Sequence, residues 1–133
     1  MGGQPLDDQF TFKAIGHVEN PFNEPTSGET LRAVDSRIVI RPTSLPGLTG
    51  MAAGQRLMVV FVFHRSEGFD WLQHPRGDRN QPKRGVFTLR SPKRPNPIGI
   101  SEVELVSIEG NVLHVRGLDA LNGTPVLDLK PAF

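Results

Sequence analysis

Glycine and proline are the residues that most constrain how this chain can fold. The sequence contains 14 Gly and 12 Pro among its 133 residues, and they are spread along its whole length. In a helix interior glycine costs about 1 kcal/mol and proline about 3 kcal/mol relative to alanine. Long helices therefore do not fit between these residues, and the sequence favours short strands joined by turns.

Apolar periodicity supports the same conclusion. Apolar and polar residues alternate at 10–14 and at 102–105, as is typical of half-buried strands. Residues 38–40 are β-branched throughout. The unbroken apolar run 57–63 predicts a strand that is buried on both faces.

Turn residues divide the C-terminal part of the chain. Residues 109–111 lie between the apolar segments 103–108 and 112–115, which is the spacing of a tight hairpin. Asn122-Gly123 is a second turn signal. Many short strands with closely spaced turns predict a mainly β protein, either a barrel or a sandwich.

Few helices and one domain are expected. Short helical turns are predicted near residues 44–48 and 67–72, and a mobile loop over residues 26–30. Residues 1–9, which are polar with two glycines, are predicted to be a disordered tail or one added for expression. The remaining residues, 10–133, form the expected single domain.

Several classes of protein are excluded or disfavoured by composition. The chain has no cysteine, which excludes disulfides, a thiolate zinc site and a cysteine nucleophile. The run 57–63 is far shorter than the roughly 20 residues of a membrane helix. No basic cluster or apolar stretch typical of a secretory signal is found at the N-terminus. We therefore expect a cytoplasmic protein that does not bind membranes.

Positive charge is concentrated in residues 74–94. This segment has one acid, Asp78, and a set of basic residues: Arg76, Arg79, Lys83, Arg84, Arg90, Lys93 and Arg94. Such a cationic stretch in a chain of net charge +1 fits a polyanion such as a phosphate backbone. A solvated loop without a ligand is the alternative.

The proline-rich string Arg90-Ser91-Pro92-Lys93-Arg94-Pro95-Asn96-Pro97-Ile98-Gly99 lies at the end of the cationic segment. Each proline fixes φ and restricts the residue before it, so the string is stiff and extended. Stiffness reduces the entropy lost when its arginines hold a phosphate or carboxylate. The alternative is a rigid connector to the next strand.

Titratable side chains follow two of the predicted elements. His64-Arg65 comes directly after the apolar strand, where binding residues often lie. Asp119 and Asp128 lie among turn residues, where an aspartate either caps a turn or serves a ligand. The nearby metal-ligand types His64, His74, Asp70 and Asp78 lack a compact spacing, and we expect no metal site.

Several strings together resemble one known family. They are Gly85-Val86-Phe87-Thr88-Leu89-Arg90-Ser91-Pro92, Arg94-Pro95-Asn96-Pro97-Ile98-Gly99, Gly117-Leu118-Asp119 and Asp128-Leu129-Lys130-Pro131. They resemble the TsaA-like (TrmO) family, whose members are S-adenosylmethionine-dependent methyltransferases acting on N6-threonylcarbamoyladenosine beside the tRNA anticodon. The similarity extends over about residues 12–133 and includes Ile15-Gly16 and Asn20-Pro21-Phe22. It departs at Thr30-Leu31-Arg32, where members commonly have a Pro-Arg-Gln-like motif.

The resemblance implies a β-barrel-like core and a homodimer that binds S-adenosyl-L-methionine near the subunit interface. The residues that match family cofactor positions are His64, Arg65, Arg90, Ile100, Leu118, Asp119, Ala120 and Leu121. The partner implied is the anticodon stem-loop of a tRNA. For its phosphates we expect Arg76, Arg84, Lys93 and Arg94 to be the contacts.

Methyl transfer from a sulfonium is an in-line displacement, so the chain needs no nucleophile of its own. The target nitrogen is a poor nucleophile until it loses its proton, and a base typically contributes about 10²- to 10⁴-fold. Asp119 and His64 are the candidate catalytic residues, although hydrogen bonding to the cofactor is the favoured role of Asp119. Trp71 and Phe87 suit a stacked base, but burial in the core is the favoured interpretation.

Two other functions remain open from the sequence. One is a methyltransferase for another small substrate, with the basic segment serving an acidic metabolite. The other is a non-catalytic module that binds RNA or the cofactor.

Overall fold

The structure, a computed structural model, describes residues 8–133. The strands within that range are β1 (Gly16–Glu19), β2 (Ser36–Ile40), β3 (Arg56–Val62), β4 (Leu72–Gln73), β5 (Arg84–Gly85), β6 (Ile98–Glu109), β7 (Val112–Arg116) and β8 (Pro125–Pro131). The helices there are α1 (Gly28–Arg32) and the 3-10 helices Pro42–Leu48, Pro75–Gly77 and Val86–Thr88. Residues 1–7, most of the predicted tail, lie outside the described residues.

Six of the strands close into an antiparallel barrel in the order β1-β2-β7-β6-β3-β8. Closure occurs between β1 and β8, where Gly16 pairs with Val126. A closed barrel leaves none of its strands with an unpaired edge. The expectation of a mainly β, barrel-like fold with few short helices is confirmed.

The core fills the inside of this barrel. On β3, Leu57, Val59 and Phe61 are at most 3% exposed, whereas the residues between them are partly exposed. Burying each such side chain contributes about 1.5–3 kcal/mol. The prediction that this strand is buried on both faces is wrong, because a single barrel layer has one inner and one outer face.

The predicted turns are confirmed. Gly110 joins β6 to β7 with a φ of 61°, and Gly123 precedes β8 with a φ of 82°. Both angles lie in the left-handed region that glycine adopts without a steric cost. The predicted helical turn at 44–48 lies within the 3-10 helix Pro42–Leu48.

Three local predictions are wrong. Residues 8–15 form no strand and leave Phe10 and Phe12 exposed, because they precede the first residue paired in the barrel. Residues 67–72 form no helical turn, since Gly68 has a φ of 65°. The predicted loop at 26–30 contains the start of α1, where the Thr30 N–H donates to the Ser27 hydroxyl at 3.3 Å.

The longest connection leaves the barrel between β3 and β6. Val62 and Ile98 pair directly, so residues 63–97 form an excursion whose two ends are held together by the sheet. The strands β4 and β5 form a two-stranded sheet within this excursion. The excursion lies at the same end of the barrel as the β1–β2 and β7–β8 connections, because residues of all three line one cavity.

Candidate functional site

A cavity of about 980 Å³ opens where these three connections meet. Its wall is formed by the start of α1, the end of β3, the proline-rich string, the beginning of β6 and the turn before β8. Ligand pockets commonly have volumes of about 300–1,000 Å³, so a nucleoside-sized molecule fits here.

Most of the residues proposed for cofactor binding meet in this cavity. Seven of the eight line it: His64, Arg65, Arg90, Ile100, Asp119, Ala120 and Leu121. Leu118 is the exception, because its side chain is fully buried in the barrel core. The proline-rich string and the turn that carries Asp119, which are far apart in sequence, therefore face the same space.

The proline-rich string is fixed by side-chain donors. Arg94 Nη1 donates to the carbonyls of Leu89 at 2.8 Å and Ser91 at 3.1 Å, and Ser66 Oγ donates to the Pro92 carbonyl at 3.0 Å. Such anchors are needed because proline has no N–H to donate. Among the described residues, the Arg90 side chain has no hydrogen bond or ion pair, and it lines the cavity with its guanidinium uncommitted.

The turn before β8 is held by two residues that sequence reasoning did not select. Ser101 Oγ donates to the Gly117 carbonyl at 3.3 Å and accepts from the Asp119 N–H at 3.2 Å. Asn20 Nδ2 donates to the Ala120 carbonyl at 2.8 Å. Asn20 belongs to Asn20-Pro21-Phe22, one of the strings that carried the resemblance, and that string was the available signal.

Arg32 is a further site residue that the sequence did not reveal. Its Nη1 lies 3.1 Å from Asp119 Oδ2, and both side chains are about half exposed. A Cβ on Gly28 would lie 2.7 Å from Arg32 Nη1 and 2.8 Å from the same carboxylate oxygen, so the pair packs directly against this glycine. Arg32 stands in the Thr30-Leu31-Arg32 string, where the sequence departs from the family motif.

His64 and Arg65 lie side by side at the exit of β3. Desolvation at the cavity wall, and then the charge of Arg65, lower the pKa of His64 from its ordinary value of 6.5. The imidazole is therefore neutral at pH 7 and able to accept a proton. Arg65 Nη1 donates to the Asn23 carbonyl and Nη2 lies 3.5 Å from Glu24, which tethers the loop before α1.

The basic segment lacks carboxylate partners. Outside this segment, six Lys and Arg side chains and His17 form ion pairs with carboxylates; the six are Arg32, Arg37, Arg56, Arg65, Arg116 and Lys130. Within residues 8–133 none of the seven cations of residues 74–94 is so paired. Of the four proposed RNA contacts, Lys93 and Arg94 line the cavity, whereas Arg76 and Arg84 are exposed elsewhere on the excursion.

The expectation that Trp71 and Phe87 belong to the core is wrong. Trp71 is 60% exposed and Phe87 is 74% exposed. Both flank the two-stranded sheet of the excursion, which is outside the barrel and provides no second layer to cover them.

Neither a cluster of metal ligands nor a membrane-spanning helix is found among the described residues. Among residues 8–133 no three or more His, Asp or Glu side chains are grouped as metal ligands would be. Over the same range, no helix has the length and apolar character needed to cross a bilayer. The expected absence of a metal remains a prediction.

Comparisons with known proteins agree on one family. The family model described as the tRNA-methyltransferase O N-terminal domain matches residues 16–133. A Pyrococcus abyssi protein named as a probable S-adenosyl-L-methionine-binding protein is 36% identical over 124 residues, covering 90% of this chain and 66% of its own. A Methanothermobacter thermautotrophicus protein of the same description is 38% identical over 131 residues, covering 96% of this chain and 93% of its own. A rat tRNA (adenine(37)-N6)-methyltransferase is 40% identical over 87 residues, which are 63% of this chain and 20% of that enzyme.

Solved structures show the same relationship. The crystal structure of TrmO from Pseudomonas aeruginosa matches with a TM-score of 0.73 and 28% identity, over 95% of this chain and 57% of that one. A second TrmO crystal structure matches with a TM-score of 0.75 and 29% identity, over 95% and 58% of the two chains. This chain thus spans less than two thirds of these structures and of the Pyrococcus relative.

Proposed function

Because the chain belongs to the tRNA-methyltransferase O N-terminal domain family, we propose that it is an S-adenosyl-L-methionine-dependent methyltransferase. Its substrate is N6-threonylcarbamoyladenosine beside the anticodon of a tRNA. The observation that carries the proposal is the convergence of Arg90, His64 and Asp119 on one cavity of suitable volume.

The residues of the cavity match the chemistry of this cofactor. Phe61, Phe63 and Leu31 give the cavity apolar walls for an adenine ring. The uncommitted Arg90 guanidinium suits a carboxylate, and the Asp119 carboxylate accepts hydrogen bonds from ribose hydroxyls or an ammonium group. Gly99 allows β6 to pack closely against the Phe61 and Phe63 rings, since a Cβ there would lie 2.7 Å from both.

When bound, S-adenosyl-L-methionine supplies a methyl group carried on a positively charged sulfur. The chain supplies no nucleophile, so its first contribution is to position the substrate nitrogen. Correct positioning accounts for about 7–11 kcal/mol of barrier in well-oriented reactions. The anchored string at Arg94 and the turn held by Asn20 and Ser101 give the cavity the rigidity that such positioning needs.

The second contribution is removal of the proton from the substrate nitrogen. The neutral imidazole of His64 lines the cavity and accepts this proton. The Asp119 carboxylate already contacts Arg32, which suits it to orient a ligand. We therefore assign the base to His64 and the binding role to Asp119.

The tRNA is held by the basic segment. Arg76, Arg84, Lys93 and Arg94 lie on the excursion that also lines the cavity, and no carboxylate pairs with them within residues 8–133. Phosphate contacts by such cations supply most of the sequence-independent affinity for nucleic acid. Family resemblance further supports a homodimer that works in the cytoplasm.

Two measurements test the proposal. Calorimetric titration with S-adenosyl-L-methionine should give saturable binding that Arg90→Gln weakens. The control Arg41→Gln, at an exposed arginine outside the cavity, should leave binding unchanged. Absence of binding to the wild-type protein would contradict cofactor use and leave a plain RNA-binding module.

Methyl incorporation is then compared for tRNA with and without the threonylcarbamoyl group. Incorporation only into the modified tRNA is the expected result. Cofactor binding without incorporation into either tRNA would indicate another small substrate or a non-catalytic module.

A further inference from the structure

The excursion carries an aromatic cluster formed by Phe69, Trp71 and Phe87. The ring centroids of Trp71 lie 4.9 Å from Phe69 and 5.9 Å from Phe87, and both pairs are edge-to-face. The three side chains are 39%, 60% and 74% exposed. Leu72 beside them is 59% exposed. Exposed apolar groups that are contiguous in this way usually mark a binding surface.

Hydrogen bonds hold the backbone segments that carry the cluster. Val86 is buried, and its N–H donates to the Trp71 carbonyl at 2.8 Å. Thr88 Oγ1 donates to the Gly85 carbonyl at 2.7 Å, which closes the turn that carries Phe87. The backbone that carries Trp71 and Phe87 is therefore held before any ligand arrives, which reduces the entropy lost on binding.

The excursion that carries the cluster is cationic overall, with eight Lys and Arg residues against Glu67, Asp70 and Asp78. Arg76, Arg79, Lys83 and Arg84 lie on the same excursion, and none forms an ion pair within residues 8–133. A ligand that covers the cluster must thus offer apolar faces together with negative charge. A two-fold contact centred on the cluster would bring two such basic segments together, which disfavours that arrangement of two copies.

From this combination we propose that Phe69, Trp71 and Phe87 form a platform on which unstacked bases of single-stranded RNA rest. Base faces stack on aromatic rings, while the neighbouring cations contact the phosphates. The platform is joined to the cavity wall, because Gln73 Nε2 donates to the Lys93 carbonyl at 2.7 Å and Leu89 lines the cavity. It would hold bases that flank the target nucleotide.

This inference rests on the proposed function and specifies how the RNA is recognised. Phosphate contacts alone would bind duplex and loop alike, whereas the platform requires bases that are free to leave the stack. The distinction can be measured.

Trp71 is the sole tryptophan of the chain, so its fluorescence reports on the platform directly. A synthetic RNA hairpin with a single-stranded loop should quench this fluorescence saturably. A blunt RNA duplex of equal length should bind through phosphates without comparable quenching. Binding of the hairpin with unchanged Trp71 fluorescence would overturn the proposal.

Phe87→Ala should weaken binding of a labelled hairpin by about 5- to 160-fold, which corresponds to about 1–3 kcal/mol per stacked base. The dependence of hairpin affinity on salt concentration should stay the same, since Phe87→Ala removes no charge. Phe10→Ala is a matched control, because Phe10 is 77% exposed and lies outside the excursion. Equal hairpin affinity for Phe87→Ala and Phe10→Ala would overturn the platform.

Two further measurements separate the possible failures. Phe87→Ala should sediment as the wild type does, and dissociation of a dimer would instead identify the cluster as a contact between copies. Calorimetry with S-adenosyl-L-methionine should be unaffected by Phe87→Ala. Wild-type protein that binds this cofactor but no hairpin refutes the platform alone, whereas failure to bind the cofactor refutes the proposed function.

Discussion

Asn20→Ala tests whether the turn before β8 is held in position for cofactor binding. The side chain makes three hydrogen bonds: Nδ2 donates to the Ala120 carbonyl at 2.8 Å and to Ser36 Oγ at 3.1 Å, and Oδ1 accepts from the Phe22 N–H at 3.0 Å. Ser36 and Ala120 are at most 4% exposed, so water does not readily replace these contacts. At about 0.5–1.5 kcal/mol per bond, the free energy of unfolding should fall by about 1.5–4.5 kcal/mol.

Urea denaturation measures this loss as a lower transition midpoint at an unchanged slope. Cofactor affinity should also fall, by about 2- to 13-fold, because ordering a released group on binding costs about 0.5–1.5 kcal/mol. This is measured by calorimetry under conditions where the variant is folded.

Asn111→Ala is the matched control. Its Nδ2 donates to the Ile40 carbonyl at 2.8 Å beside the β6–β7 turn, outside the cavity. The control should lose about 0.5–1.5 kcal/mol of stability and keep its affinity for the cofactor. Unchanged affinity in Asn20→Ala, or an equal loss of affinity in both variants, would refute the positioning role of Asn20.

Three other predictions concern the site. Because the pKa of His64 lies below 6.5, its neutral base form persists as the pH falls past that value, and kcat should decline only at lower pH. The variant His64→Gln should reduce kcat about 10²- to 10⁴-fold and abolish that decline. A pH profile that His64→Gln leaves unaltered would assign the base elsewhere. Gly99→Ala should lower the free energy of unfolding by about 1–3 kcal/mol in urea denaturation, because the new Cβ would lie 2.7 Å from phenylalanine rings. The control Gly47→Ala, which has open space around it, should be nearly neutral. Equal effects of the two variants would count against the close approach at Gly99. Replacing Arg84 and Lys93 by Gln should weaken RNA binding and reduce the salt slope by about 1.4–1.8, and an unchanged slope would show that neither contacts phosphate.

Local patterns predicted the strands better than their arrangement. The alternation in β6 and the apolar run in β3 are properties of neighbouring residues, and both strands are found. The same alternation at Phe10 and Phe12 gave no strand, because a strand also needs a partner and the barrel closes without this segment. Composition alone left barrel and sandwich open, since the pairing of β1 with β8 joins residues from opposite ends of the chain.

Long-range contacts also limited prediction of the site. The resemblance supplied Arg90 and Asp119, and both line the cavity. It did not supply Arg32, which is 87 positions from Asp119, or the bond from Asn20 to the Ala120 carbonyl over 100 positions. Trp71 was expected in the core because hydrophobicity predicts burial only where another layer covers the side chain.

The direct pairing of Val62 with Ile98 separates the evolution of the barrel from that of its excursion. Since the sheet already holds the two ends of residues 63–97 together, doubling the length of that segment would add only about 0.6 kcal/mol of closure entropy. Insertions, deletions and new side chains can accumulate there at little risk to folding. Relatives that recognise different RNAs are therefore expected to diverge most in residues 66–84, ahead of the proline-rich string that lines the cavity, while keeping the same barrel.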